Sequence, residues 1–378
     1  MLNAIAAAIA FKLFESFHPH LSVQLHIQAF TVHKRFALRI SRGTTTHTTN
    51  LWVKVEHEDI EGWGEASPFS IGSASQTTAE IGKTLSAIAP LLKSVHPLER
   101  QLIERLMQDY KLPSAARAAL DMALHDWLGK AAQLPLWQLW GLERERIVPT
   151  SVTIGISSPM AAQERVLAWL GKGTVESPAQ DIQALKVKLG SPDGAAADRA
   201  MFEAVQTIAP HIPSISIDAN GGWTLDTAIE MSHWLCDRGV TYLEQPLPQG
   251  QERDLPELLK RSPLPIFVDE SCFTCGDIPA LSDRVHGINI KLMKSGGLSE
   301  ALRMIHTARA CGLKIMFGCY SDSTLANTAL AQLAPLADHL DLDSHLNLKD
   351  DPFLGATFQN GRVIPNGLPG LGVRLGGV

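Results

Sequence analysis

The residues with most chemical content are three acids and two lysines in the second half of the chain. Asp218, Glu244 and Asp269 follow one another at intervals of about 25 residues, and each closes a short apolar run: Ile215-Ser-Ile-Asp218, Tyr242-Leu-Glu-Gln245 and Ile266-Phe-Val-Asp-Glu270. That interval is close to the ~30 residues of one strand–helix unit in an eight-unit barrel, where the C-terminal ends of parallel strands meet at one mouth. Three bare carboxylates meeting there would repel one another. As an oxygen donor set they suit Mg²⁺, one ion per chain, with water or substrate in its remaining positions. A single Asp is more often a solvated loop residue or a helix cap. Three matching run ends make a metal site the economical reading.

Two lysines bracket the acids in sequence. Lys188 belongs to Leu185-Lys-Val-Lys-Leu189 and Lys291 to Ile288-Asn-Ile-Lys-Leu292, the second and sixth runs, which face each other across a closed barrel. A proton on the carbon next to a carboxylate is a very weak acid. Its removal needs a base and stabilisation of the enediolate that forms, and a metal supplies the second. A lysine acts as a base near neutral pH only where desolvation or a like charge lowers its pKa, and Lys186, two residues along the same strand, offers such a charge beside Lys188. Alone, a Lys-x-Lys pair in a strand usually marks an exposed face. In register with the acids it reads as part of the site.

The elements that must hold these residues are legible from about Thr150 onward, where short β-branched or apolar runs alternate with longer amphipathic stretches. Eight runs are found: 151–155, 185–189, 215–218, 242–245, 266–270, 288–292, 314–318 and 340–343. Eight strands fit a barrel. A doubly wound open sheet is the alternative, but no Gly-x-Gly-x-x-Gly or Walker loop follows any run. Before Thr150 the pattern is that of a separate α+β region, with hairpin-like strands over 25–36 and 50–56 and helices over 79–92 and 115–134. The Gly/Pro-rich end, 366–377, reads as turns packing back on that first region.

Composition narrows the class. With 378 residues, 45% hydrophobic and 19% charged, the chain resembles an average globular protein rather than a disordered or fibrous one. Its net charge of −6 and lack of a Lys/Arg stripe give no support to a nucleic-acid partner. Five cysteines, an odd and small number, suit a reducing compartment, and the lone Cys272-Phe-Thr-Cys275 lacks further ligands for zinc. The apolar Met1–Phe11 run has no preceding positive residue as a signal peptide would, and is too short to span a bilayer. A helical extension over 1–20, a cytoplasmic location and no membrane partner are expected. A homo-oligomer is left open.

Taken together, Leu185-Lys-Val-Lys-Leu-Gly190, Ile217-Asp-Ala-Asn220, Glu244-Gln-Pro246, Asp269-Glu-Ser271 and Asn289-Ile-Lys-Leu-Met-Lys-Ser-Gly-Gly297 resemble the motif series of the muconate-lactonizing-enzyme subgroup of the enolase superfamily. The resemblance extends to Gly62-Trp-Gly-Glu-Ala66, to the 115–126 stretch and to Pro369-Gly-Leu-Gly372, and leaves out only the first twenty or so residues. It implies a modified (β/α)8-type, TIM-like barrel of (β/α)7β form, over 146–344. An α+β capping domain would comprise 21–145, with 345–378 returning to it. Mg²⁺ would rest on Asp218, Glu244 and Asp269, with Lys188 and Lys291 as acid/base catalysts, Lys186 beside the substrate, and Asn220 and Glu270 supporting the metal and a lysine. Gly62–Ala66 would lie on a capping loop, where Glu65 is otherwise a plain strand-end acid.

The eighth run discriminates among reactions that share this equipment. Asp341 and Asp343 in Leu340-Asp-Leu-Asp-Ser344 lie two apart, which sends both carboxylates to one face of a strand, a clamp suited to an ammonium group. This is similar to the dipeptide epimerases, the L-Ala-D/L-Glu epimerases among them, and implies a small dipeptide substrate epimerised at its second residue. Cycloisomerases and o-succinylbenzoate synthases, the alternative, have no substrate ammonium to bind. Arg39 and Arg42 fall where related enzymes place a substrate-facing loop, and an Arg there would receive an acidic side chain. Gly318-Cys-Tyr-Ser-Asp-Ser323 departs from the pattern of the Glu-specific enzymes, and its Asp322 would instead favour a basic or polar residue.

Overall fold

The computed structural model describes residues 23–172 and 181–376; the expected extension over 1–20, with its apolar run, lies outside them. β1 (Gln24–Ile40), β2 (Gly43–His57) and β3 (Ile60–Ala66) form an antiparallel sheet in that order. Along β2, Leu51, Val53, Val55 and His57 are buried at every second position, the pleat's own period. Two helices cover this sheet, α1 (Thr78–Leu92), opened by a Thr77/Glu80 capping box, and α3 (Ser114–Ala131), while α2 (Arg100–Asp109) packs beside α1. α3 is buried on nearly every side, and its alanines permit close approach by neighbouring elements.

The expected capping loop at Gly62–Ala66 is instead strand β3, laid along α3. A Cβ on Gly62 or Gly64 would stand 2.0 Å from the carbonyl oxygen of Ala123 or Ala119, so only glycine fits either position. Glycine weakens a strand's sequence signature while permitting such backbone contact, and the strand therefore reads as a loop.

Eight parallel strands then run in sequential order: β4 (Val152–Ile154), β5 (Ala184–Lys188), β6 (Ser214–Asp218), β7 (Leu243–Glu244), β8 (Ile266–Val268), β9 (Gly287–Ile290), β10 (Lys314–Gly318) and β11 (His339–Asp341). A parallel bridge between Thr150 and Leu340 brings the first strand to the last and closes the barrel. The connecting helices are α4 (Pro159–Trp169), α5 (Ala195–Ile208), α6 (Leu225–Cys236), α7 (Leu255–Arg261), α8 (Leu298–Ala310) and α9 (Thr324–Ala331). Two 3₁₀ turns replace a helix between β8 and β9, and β11 is followed only by a 3₁₀ turn, Ser344–Asn347. Below the mouth the barrel is filled by Tyr242, Phe267, Met316 and His339, a packed core rather than a pore.

The C-terminal turns return to α3, where Asp126 accepts the Leu371 amide at 2.7 Å. All five cysteines are free, and among the described residues no helix is long and apolar enough to cross a membrane.

The β3–α3 contact makes a direct prediction. Gly64→Ala pushes a methyl group into the Ala119 carbonyl, backbone against backbone, and overpacking of this kind costs ~1–3 kcal/mol or more. Urea denaturation should show a clearly lower midpoint. An unchanged midpoint would mean that β3 and α3 separate at no cost.

Candidate active site

Parallel register brings the singled-out residues to one level. Lys188 pairs with Asp218, and Asp218 with Glu244. Asp269 and Lys291 stand one residue beyond the ends of β8 and β9. Because side chains alternate along a strand, Lys186 and Lys188 point to the same side of β5. All are buried at the barrel mouth, Lys186 completely.

Charges pair densely there. Lys188 Nζ donates to Asp218 Oδ2 at 2.5 Å, and Lys291 Nζ to Asp269 Oδ2 at 2.7 Å. Lys186 Nζ lies 2.5 Å from Glu244 Oε2, 2.6 Å from Asp341 Oδ2 and 3.4 Å from Asp218 Oδ2, so that Asp218 is shared by both lysines of β5. Burial opposes the charge on Lys186, yet Asp341, Glu244 and Asp218 hold its pKa well above the ordinary value. Burial likewise opposes the charges of Lys291 and Asp269, but each holds the other ionised, Lys291 shifted up and Asp269 down. Burial and the neighbouring Asp218 push Glu244 up to about 7.

Among the described residues, no three His, Cys, Asp or Glu side chains are already closed around a point that could hold a metal ion. The carboxylates are drawn onto lysine ammonium groups instead. Their chemistry nevertheless fits a hard divalent cation. Lys34, Lys186, Lys188, Lys291, Lys294 and Arg42 face seven carboxylates, Asp218, Glu244, Asp269, Glu270, Asp322, Asp341 and Asp343, so negative charge is in excess. Glu244 Oε2 and Asp269 Oδ1 accept no hydrogen bond, although Lys186 and Lys294 lie 2.5 and 2.8 Å away. Buried carboxylate oxygens on adjacent strand ends, met by ammonium charge rather than by fixed hydrogen bonds, are donors that such an ion can use.

Asn220, with φ of +44°, folds back on Asp218: its amide donates to Oδ1 at 2.8 Å and its side chain to Oδ2 and to Glu270 Oε1, both at 3.2 Å. Arg42, in the β1–β2 turn, donates to the Asn220 carbonyl and meets Glu270 Oε1, each at 2.8 Å. Arg39 faces the exposed Asp193 at 3.8 Å.

The two acids of the last strand come together differently from the expected period-two arrangement. β11 ends at Asp341, and Asp343 lies beyond it with helical backbone (φ −110°, ψ −6°). Both still meet β4, since Thr153 gives its amide to Asp343 Oδ2 at 2.6 Å and its hydroxyl to Asp341 Oδ1 at 3.4 Å. Burial and Asp341 push Asp343 up to about 6.

A cavity of about 530 Å³ opens above this array. Lys188 and Lys291 both line it, and Leu38, Ile40, Phe69 and Tyr320 supply apolar wall. Asp341 and Asp343 lie beyond Cys319, a lining residue whose Sγ donates to the Asp341 carbonyl at 3.1 Å. Asp322 does not line the cavity. It is buried and accepts the Tyr320 amide at 3.1 Å.

Three residues near these groups carried no assigned part in the sequence reading. Lys294 donates to the carbonyls of Asp269 and Cys272 at 2.5 and 2.7 Å, Asn289 donates to Glu244 Oε1 at 2.7 Å, and the Tyr320 ring faces Lys291. A Lys-x-x-Lys spacing, one helical turn, was the available signal for Lys294. Glu65, at the end of β3, is also more than a strand-end acid. Its carboxylate accepts the Ser323 hydroxyl at 2.5 Å and the Ser323 and Ala326 amides at 3.0 and 3.1 Å, capping α9 from the other domain.

A two-part α+β cap and barrel with acids and lysines on successive strand ends agrees with the sequence relationships. Residues 25–141 match the family described as mandelate racemase / muconate lactonizing enzyme, N-terminal domain, and residues 172–376 match the enolase C-terminal domain-like family. The chain belongs to this family of the enolase superfamily. It is 46% identical over 346 residues to a hydrophobic dipeptide epimerase of a Flavobacteria bacterium, covering 91% of this chain and 96% of that one. An L-Ala-D/L-Glu epimerase of Bacteroides thetaiotaomicron is 35% identical, covering 90% of this chain and 84% of the other. A crystal structure of dipeptide epimerase from Enterococcus faecalis, complexed with Mg and L-Leu-L-Tyr, superposes with a TM-score of 0.84 at 28% identity, covering 93% of this chain and 99% of that one.

Glu65 gives a pH-dependent prediction. Burial and Asp322 push its pKa up to about 8 from an ordinary 4.5. The folded state then binds more protons than the unfolded one across that window, so this residue's contribution is full below pH 4.5 and is lost as pH rises through 8. Urea midpoints of wild type and Glu65→Gln at pH 5, 6.5 and 8.5 should differ by amounts that shift steadily toward the variant. A constant difference across the series would place Glu65 at an ordinary acid's pKa.

Proposed function

We propose that this chain is a Mg²⁺-dependent dipeptide epimerase that inverts the second residue of dipeptides, with preference for an apolar side chain there. The supporting observation is that Lys188 and Lys291, from β5 and the end of β9, line one cavity, each paired with an acid of the same carboxylate cluster. In this reading Asp218, Glu244 and Asp269 hold the ion. When bound, Mg²⁺ supplies positive charge to the substrate carboxylate as the α-proton leaves.

The remaining chemistry belongs to the chain's own side chains. One lysine removes the α-proton from one face and the other returns a proton to the opposite face. A lysine can act as the base only once it is released from its carboxylate, since pairing with Asp269 holds the Lys291 ammonium group ionised. Asp341 and Asp343 accept the free amino group at the other end of the substrate. Lys186 keeps Asp341 ionised, Asn220 and Glu270 hold Asp218 and the β1–β2 turn in place, and Lys294 fixes the chain around Asp269.

Preference for an apolar second residue rests on what Arg42 is doing. Its guanidinium is engaged by Glu270 and the Asn220 carbonyl and is not free to receive an acidic side chain. Leu38, Ile40 and Phe69 offer apolar surface in its place, and the relatives at 46% and 44% identity are described as hydrophobic dipeptide epimerases.

Incubating the Mg²⁺-loaded protein with a dipeptide library in D₂O tests this directly. A gain of one mass unit at the second residue is expected, strongest for apolar side chains, abolished by chelation and restored by Mg²⁺. N-acetylation should cost at least ~10-fold in kcat/KM, since each hydrogen bond to a charged group is worth ~1.5–3 kcal/mol. Lys188→Ala and Lys291→Ala should each stop epimerisation while sparing exchange from one diastereomer. No deuterium uptake from any dipeptide would overturn the proposal.

A further inference from the structure

The two lysines that line the cavity are held differently. Lys291 Nζ stands 4.9 Å from the centroid of the Tyr320 ring and 2.7 Å from Asp269 Oδ2, between a π face and a carboxylate. For Lys188, the contact within the described residues is Asp218 at 2.5 Å, with no aromatic face over its ammonium group. Tyr320 is in turn fixed from two directions. Its ring stacks on Phe69 of the capping domain with centroids 5.0 Å apart and planes at 11°, and its amide donates to Asp322 at 3.1 Å. Its hydroxyl oxygen is buried and makes no hydrogen bond to another described residue.

We propose that Tyr320 is a positioning residue for Lys291, and that its stacking on Phe69 makes the placement of this one lysine depend on the cap. The inference rests on the reading of Lys188 and Lys291 as opposed bases. An aromatic face attracts an ammonium group through its quadrupole and has no comparable hold on a neutral amine. Stacked at a fixed angle, the ring also limits the rotamers of the four-carbon lysine stem. Lys188, whose strand lies on the other side of the barrel, draws nothing from this contact. The consequence is an asymmetry between the two directions of proton transfer.

The test uses Tyr320→Leu, which keeps apolar bulk and removes the ring, and Tyr320→Phe, which removes only the unpartnered hydroxyl. Deuterium wash-in at saturating substrate is followed separately from the two diastereomers of one dipeptide, the direction lost in Lys291→Ala marking the Lys291 side. Tyr320→Leu should slow Lys291-side exchange by ~10-fold, the order of a desolvated cation–π contact, with Lys188-side exchange little changed. Tyr320→Phe should restore the Lys291 side. An equal loss in both directions, or a Phe variant as slow as the Leu variant, would overturn the proposal. Crystal structures of the two variants provide a readout independent of turnover: Lys291 should leave its position beside Asp269 in Tyr320→Leu and keep it in Tyr320→Phe. If the wild type exchanges no α-proton, the two-base reading falls. The crystallographic comparison still decides whether the ring holds Lys291, and an unmoved Lys291 in Tyr320→Leu would refute that.

Discussion

Bringing seven carboxylates and five lysines out of water at the end of a barrel is the constraint on which the rest of this structure depends. A buried ion pair recovers its desolvation cost only with close geometry and further hydrogen bonds to the remaining lone pairs and protons. The register of the parallel strands provides the first, setting Lys188, Asp218 and Glu244 side by side on adjacent strands. Asn289, Asn220 and the carbonyls of Asp269 and Cys272 provide the second. The barrel interior beneath must then be dry and filled, as it is by Tyr242, Phe267, Met316 and His339.

A charged cluster of this kind also needs a roof, and the capping domain reaches it at separate points. Arg42 touches the loops after β6 and β8, through the Asn220 carbonyl and Glu270. Phe69 stacks on Tyr320 after β10, and Glu65 caps the helix that begins there. Each contact lands on a loop that follows a strand carrying or adjoining one of the acids. The cap therefore bears on particular side chains of the site, Glu270 through Arg42 and Tyr320 through Phe69.

What the sequence displayed and what it hid divide along range. All eight barrel strands are visible because strands buried on both faces read as apolar runs, and their last polar residues are those that reach the mouth. β3 is hidden by its two glycines, which are there because α3 presses against them. Asp343 could not be placed from spacing, since where β11 stops depends on how the following turn packs, and the alternation of side chains stops with the strand. Arg42 was misleading for a different reason. Its partners Asn220 and Glu270 are some two hundred residues away in sequence, and no local pattern tells whether an exposed arginine near a cavity points into it or is already taken.

The separation between chemistry and selectivity follows from the same layout. Between His33 and Leu38 the β1–β2 register slips, and the displaced residues bond to the turn after Asp343: the Phe36 amide donates to Asn347 Oδ1 at 2.9 Å and Arg35 Nε to the Leu348 carbonyl at 2.9 Å. This irregularity sets the register of the strand beyond it, and with that the placement of Leu38 and Ile40 in the cavity wall. Lys188, Lys291 and the three acids take their backbone positions from barrel register, so a change in the cavity wall beyond the bulge leaves those strand ends in place. A family built this way can keep one proton-transfer apparatus and vary its substrates, because Leu38 and Ile40 of the cavity wall come from the cap strand whereas the acids and lysines of the chemistry stand on barrel strand ends.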